Sequence, residues 1–124
     1  MLGLLGGWDL PLQILACFML ADYLTGLTLA FLHKSGKTAG GGVSSRAGLA
    51  GLLRKGAMAA VVAVATLLDA LTGADMMRQS ACLFFIANEG ISILENAAAL
   101  GAPLPPFLTA ALESLQKGGK NKDV

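Results

Sequence analysis

One histidine and two cysteines in 124 residues leave this sequence with little from which to build a metal centre or a nucleophilic triad. Cys17 and Cys82 have no CxxC spacing and no nearby histidine. A zinc site needs about four such ligands, and a triad needs a base beside its nucleophile. Both cysteines read as small apolar packers, and no catalytic residue, metal or cofactor is expected. Charge is also scarce. Charged residues make up 14% of the chain, against about 25% in an ordinary soluble domain. The formal net charge of +1 gives no general attraction to nucleic acid. The first residues, MLGLLGGWDLP, lack the basic region of a secretory signal, and the apolar run that follows is too long for one. That run is expected to be retained, with Trp8 at an interface.

What the chain has in quantity is apolar sequence: 55% hydrophobic residues and a mean hydropathy of +0.67. Three stretches approach the roughly 20 residues needed to cross about 30 Å of hydrocarbon. Residues 10–32 are broken by Gln13 and Asp22, residues 56–74 by Asp69, and residues 76–100 by several polar positions. The fold class expected is an all-α integral membrane protein with about three transmembrane helices and a C-terminal amphipathic interfacial helix. The second and third spans share a turn so short that they must form an antiparallel hairpin.

The third stretch is the most informative. Asn88, Glu89, Ser92, Glu95, Asn96 and Ala99 fall within about a third of the helix circumference, opposite a greasy back. A carboxylate at the bilayer centre costs about 2.5–3.5 kcal/mol on insertion scales, so such residues face a bundle interior, a partner chain or water. The stripe reads as pore-lining or helix-associating. Asp22, Asp69, Glu89 and Glu95 are half of the eight acids, and no lysine or arginine falls in the middle of any expected span. Internal salt bridges are therefore not expected; the acids should be protonated, hydrogen-bonded to Thr25, Thr66, Asn88 or Asn96, or hydrated. Small residues accompany the acids, with Asp22, Gly26 and Ala30 on one face of the first span and Ala65, Asp69 and Gly73 on one face of the second.

Residues 33–55 carry Lys34, Lys37, Arg46, Arg54 and Lys55 without an acid, which makes this basic, glycine-rich loop and the start of the following helix cytoplasmic. The C-terminus should lie on the same side. The GKTAGGG at 36–42 is no phosphate loop, because the glycine required five positions upstream is Phe31. It reads as a linker, with Ser44 or Ser45 capping the next helix. Gly101 and Pro103, Pro105 and Pro106 end the third span. Within 103–117, Leu104, Phe107, Leu108, Ala111, Leu112 and Leu115 form an amphipathic pattern that suits the cytoplasmic membrane surface or a neighbouring subunit. Residues 118–124 read as a disordered basic tail.

The strings ADYLTGL at 21–27, GLAGLLRK at 48–55, LLDALTG at 67–73 and FFIANEGISILENAAALGAPLPPFL at 84–108 closely resemble the phage holin family of the toxin-secretion and phage-lysis type. The resemblance covers most of the chain. It implies a protein of the bacterial cytoplasmic membrane that forms homo-oligomers in the lipid bilayer and opens lesions. Those lesions release an endolysin, or in some relatives a large toxin, without necessary direct contact. On this resemblance Asp22, Thr25, Gly26, Asp69, Asn88, Glu89, Gly90, Glu95 and Asn96 are signature polar positions. Relatives carry more apolar sequence before the Gly-Gly-Trp-Asp at 6–9, so residues 1–9 read either as an interfacial stub or as part of a further membrane segment. The acid stripes suggest carboxyls that are neutral in a closed assembly and ionise along a hydrated lumen. A small-pore ion channel, or an antiholin acting on a longer holin, is the alternative.

Overall fold

A computed structural model of the chain describes residues 2–32 and 44–122. Among these residues the fold is all-helical: a 3-10 turn at Leu2–Leu5 and four helices, α1 (Leu10–Phe31), α2 (Ser45–Thr72), α3 (Met77–Ala99) and α4 (Pro106–Lys122). The glycine-rich 36–42 segment lies outside them, as do residues 123–124.

Each helix starts or stops for a local reason. Asp9 caps α1 by accepting from Leu12 N at 3.3 Å, and Pro11 sits in the first turn, where its missing N–H costs nothing. Ser44 caps α2 by accepting from Ala47 N at 3.3 Å. The helix therefore begins about three turns before Gly56, and Arg46, Arg54 and Lys55 ride on α2 rather than in a loop. At its far end Gly73 takes a left-handed conformation (φ 75°) and closes the helix. Gly101 does the same after α3, with φ 97°.

Contacts set the topology. Asp9 meets Arg78 at one end and Thr25 meets Asn96 toward the other, so α1 and α3 run parallel. Lys55 meets Glu89 and Asp69 meets the start of α3, so α2 runs antiparallel to both. The third helix is the centre of the bundle and packs against each of the other three. Leu15, Val62, Cys82 and Ile86 form the core, joined by Leu5, Phe18 and Phe85. The N-terminal turn thus contributes a side chain to the core. Tyr23 lies over Gly48 and Gly51, where the missing side chains leave room for its ring on α2.

The outside of the bundle is greasy. Leu20, Leu24, Phe31, Leu52, Val64 and Leu71 are all exposed, far more apolar surface than a soluble monomer presents. Among the described residues, two helices, α1 and α2, are long and apolar enough to cross a membrane. At 23 residues α3 has the length for a span, roughly 34 Å. Asn88, Glu89, Glu95 and Asn96 make it more polar than the other two.

Candidate functional site

Near mid-length of the bundle three helices each send in one charged side chain. Asp22 lies roughly 18 Å along α1 from Leu10 and about 14 Å from Phe31, at 1.5 Å per residue. The Lys55 ammonium from α2 donates to Asp22 Oδ2 at 2.8 Å and to Glu89 Oε1 from α3 at 2.5 Å. Asp22 is 6% and Glu89 3% exposed, so this ion triad is interior. Asn96 completes it, donating through Nδ2 to Asp22 Oδ1 at 3.2 Å and to Thr25 Oγ1 at 2.8 Å. The Thr25 hydroxyl in turn donates to Ala21 O at 2.8 Å. Among the described residues no buried side-chain nitrogen or oxygen lacks a partner.

The triad corrects the expectation that internal salt bridges cannot form. That expectation placed Lys55 at the edge of a span starting at Gly56. With α2 capped at Ser44, Lys55 lies deep in the helix, and the packing register lowers its ammonium between two acids. A cationic group desolvated between two carboxylates is stabilised by strong short-range Coulomb attraction, and each carboxylate avoids standing alone in a medium that cannot solvate it.

The polar stripe on α3 is split by the packing. Glu89 and Asn96 turn inward to α1 and α2, and Ser92 is half-buried between them. Asn88 and Glu95, seven residues apart and so on one face, are exposed. Gly26 is half-buried one turn beyond Asp22, and Ala30 is buried, so the small-residue stripe of α1 packs within the chain.

Asp69 stands apart from the triad, at the α2–α3 turn. Its carboxylate accepts from Met77 N at 3.1 Å and from Arg78 N at 2.9 Å. The residue before α3, Met76, offers no capping side chain, so Asp69 caps α3 across the turn. Asp69→Ala should cost about 1–2 kcal/mol. Amide exchange at Met77 and Arg78 should then accelerate by about 5- to 30-fold; unchanged exchange would assign the cap to something else.

Arg78 anchors the N-terminal segment at the same end. Its guanidinium pairs with both Asp9 oxygens, Nη1 to Oδ2 at 2.8 Å and Nη2 to Oδ1 at 2.9 Å, and donates to the carbonyls of Leu5 and Gly7. Gly6 and Gly7 take positive φ (86° and 94°), and a Cβ on Gly6 would overlap the guanidinium. The glycine pair therefore wraps the backbone around the arginine. Hydrogen bonding from Arg78 holds the Asp9 carboxyl below its ordinary range. A lowered folded-state value means the clamp contributes fully above the unfolded value of about 3.9 and weakens as pH falls through the lower folded one. Asp9 is 46% exposed at its side chain, so solvent screening keeps the contribution well under about 1 kcal/mol. Trp8 fluorescence, titrated with acid, should change with a midpoint below the ordinary aspartate range. Asp9→Asn should abolish that transition, and Arg78→Gln should move it upward.

Lys55, Arg78, Gly6 and Gly7 are the site residues that the sequence reading missed. A signal existed for the first: Ser44 as a cap already implies a helix containing Lys55. For the clamp, Asp9 and Arg78 lie 69 residues apart, and nothing local links them.

The bacteriophage holin family matches residues 1–117 of this chain. The chain belongs to that family. Among the relatives of this holin-family chain, an uncharacterized protein of Clostridium perfringens is 45% identical over 89% of the chain and 78% of its own length. A second C. perfringens protein, an uncharacterized 14.9 kDa protein in the nagH 3′ region, is 44% identical over 89% of the chain and 80% of its own length. A probable holin of Bacillus phage phi105 is 30% identical over 90% of the chain and 78% of its own length. No solved structure matches this holin-family chain. Family membership and the two long apolar helices mark a membrane protein, and the holin family is not an enzyme family. Among the described residues no group of histidine, cysteine, aspartate or glutamate side chains is placed to hold a metal ion.

Proposed function

We propose that the chain is a holin that self-associates in the bacterial cytoplasmic membrane and opens lesions through which an endolysin, or a large toxin, leaves the cytosol. The observation that carries this reading is the outward pair on α3. Asn88 and Glu95 are exposed on a helix whose Glu89 and Asn96 are satisfied inside the chain. In hydrocarbon such groups require a second copy or water; self-association supplies the first and a lesion the second. Helices α1, α2 and α3 are the three spans, with α3 made tolerable by burying Glu89 and Asn96. Lys34, Lys37 and Arg46 support a cytosolic α1–α2 connection, and with the antiparallel order the C-terminus would lie there too. On α4, Phe107, Leu108 and Leu115 remain exposed, an apolar face for the cytoplasmic leaflet or a neighbouring copy.

The triad gives the closed state its electrostatics. While Lys55 stays between Asp22 and Glu89, its ammonium offsets one of the two carboxylate charges and is shared by both within each chain. Water reaching the triad would solvate all three groups separately and weaken the tie between helices, so hydration and opening would favour each other.

Inducible expression in bacteria with a co-expressed cytosolic endolysin tests the function. Abrupt, delayed loss of turbidity with release of a large cytosolic marker is expected only when both proteins are present. Depolarisation without marker release would instead indicate a small pore, and delay of a longer holin's lysis would indicate an antiholin. In the same assay Glu95→Leu should delay onset severalfold if the outward stripe is used; unchanged timing would remove Glu95 from the mechanism.

A further inference from the structure

The same end of the bundle presents a second outward charge of opposite sign. Arg54, on α2, is exposed, and neither it nor Glu95 has an ion-pair partner among the described residues. Their depths agree. The Lys55–Glu89 contact marks a common level on the antiparallel pair α2 and α3. Glu95 lies six residues beyond Glu89, roughly 9 Å toward the α1–α2 connection. The Arg54 backbone is one residue in the same direction from Lys55. Side chains on a helix slant toward its N-terminus, which for α2 is that direction again. Extended along the helix, the long arginine side chain brings its guanidinium within reach of the level of Glu95.

We infer that Arg54 of one copy pairs with Glu95 of the next, and that this contact assembles the chain head to tail. The inference rests on the self-association proposed above and names the surfaces that carry it. The two charges sit on different helices, so each copy offers Arg54 to one neighbour and Glu95 to another. A contact of this heterologous kind does not stop at a dimer; it continues into a ring when the rotation closes, or an open array when it does not. Near hydrocarbon, leaving either charge unpaired is costly, and a bidentate guanidinium–carboxylate contact satisfies both. Asn88, two turns away on the same face of α3, extends the polar seam.

Charge reversal in full-length protein in membranes tests it. Arg54→Glu and Glu95→Arg, expressed singly, should each reduce the oligomeric population by about tenfold, because like charges would face one another. The double variant should recover it. Co-expression of the two single variants should recover it as well. When the two variants alternate, the reversed position 54 of one copy faces the reversed position 95 of the next, and the unaltered Arg54 faces an unaltered Glu95, so opposite charges meet at every contact. Recovery in the double variant but not in the mixture would place the pair within one chain and overturn the inference. No recovery in either, while the wild-type chain oligomerises and releases endolysin, would overturn the inference and leave the holin reading intact. A wild-type chain that neither oligomerises nor releases endolysin would end both. Should a reversed charge prevent membrane insertion, Arg54→Gln and Glu95→Gln replace the reversals. Each should weaken association severalfold, and the double variant should be no weaker than either alone; additive losses would overturn the inference.

Discussion

Lys55→Met is expected to destabilise the bundle by about 3–5 kcal/mol, because it strands two buried carboxylates around a vanished cation. The lost attraction is only part of this cost. Asp22 and Glu89 would face each other across a site that excludes water, with Asn96 able to donate to Asp22 but not to replace an ammonium. Denaturant titration of the purified protein in bicelles measures the loss. The triple variant Lys55→Met, Asp22→Asn, Glu89→Gln should return most of it, since amides in place of the acids remove the stranded charge. If the triple variant were as unstable as the single, methionine packing rather than charge would be the cause. Arg54→Met, one residue away and exposed, should leave the stability of the isolated chain almost unchanged.

Gly90→Leu should displace α4. A Cβ at Gly90 would stand 2.9 Å from Leu112 Cδ1 and 3.2 Å from Phe18 Cε2, so α1 and α4 both close over the bare backbone there. Alanine can be accommodated if the free end of Leu112 rotates aside. Three further carbons cannot, and overpacking of this kind costs about 1–3 kcal/mol. The weakest joint gives first. α4 is mostly exposed and packs on α3, with Leu112 seated over Gly90, whereas α1 is tied in by the triad and the clamp. Proteolysis within α4 should therefore accelerate by tenfold or more in Gly90→Leu and little in Gly90→Ala. Equal protection in all three proteins would mean that α4 is held elsewhere.

The apolar run at 10–32 was legible in the sequence from hydropathy, and α1 occupies Leu10–Phe31 of it, with Asp9 as its cap. The bounds of α2 were not legible, because hydropathy weighs each side chain separately, and Arg46, Arg54 and Lys55 pulled its apparent start to Gly56. The depth of Asp22 and Glu89 could be read from their place in apolar runs. Their shared lysine could not, since axial register between helices depends on packing that no single helix encodes. The same limit applies to the α3 stripe. A wheel brings Asn88, Glu89, Glu95 and Asn96 into one sector, but only the neighbouring helices decide that Glu89 and Asn96 turn in while Asn88 and Glu95 turn out.

The spacing of the triad along the chain also bears on biogenesis. Asp22 emerges from the ribosome first, Lys55 follows, and Glu89 comes 34 residues after Lys55. Threading α2 into the bilayer by itself would carry an uncompensated ammonium deep into hydrocarbon, at about 2.5–3.5 kcal/mol. Delivering α2 and α3 together, joined by a short turn whose Asp69 already caps α3, lets Lys55 enter beside Glu89. On the proposed three-span topology, the hairpin is the unit suited to enter together, so that Lys55 and Glu89 arrive paired and Asp22 of α1 joins them on packing.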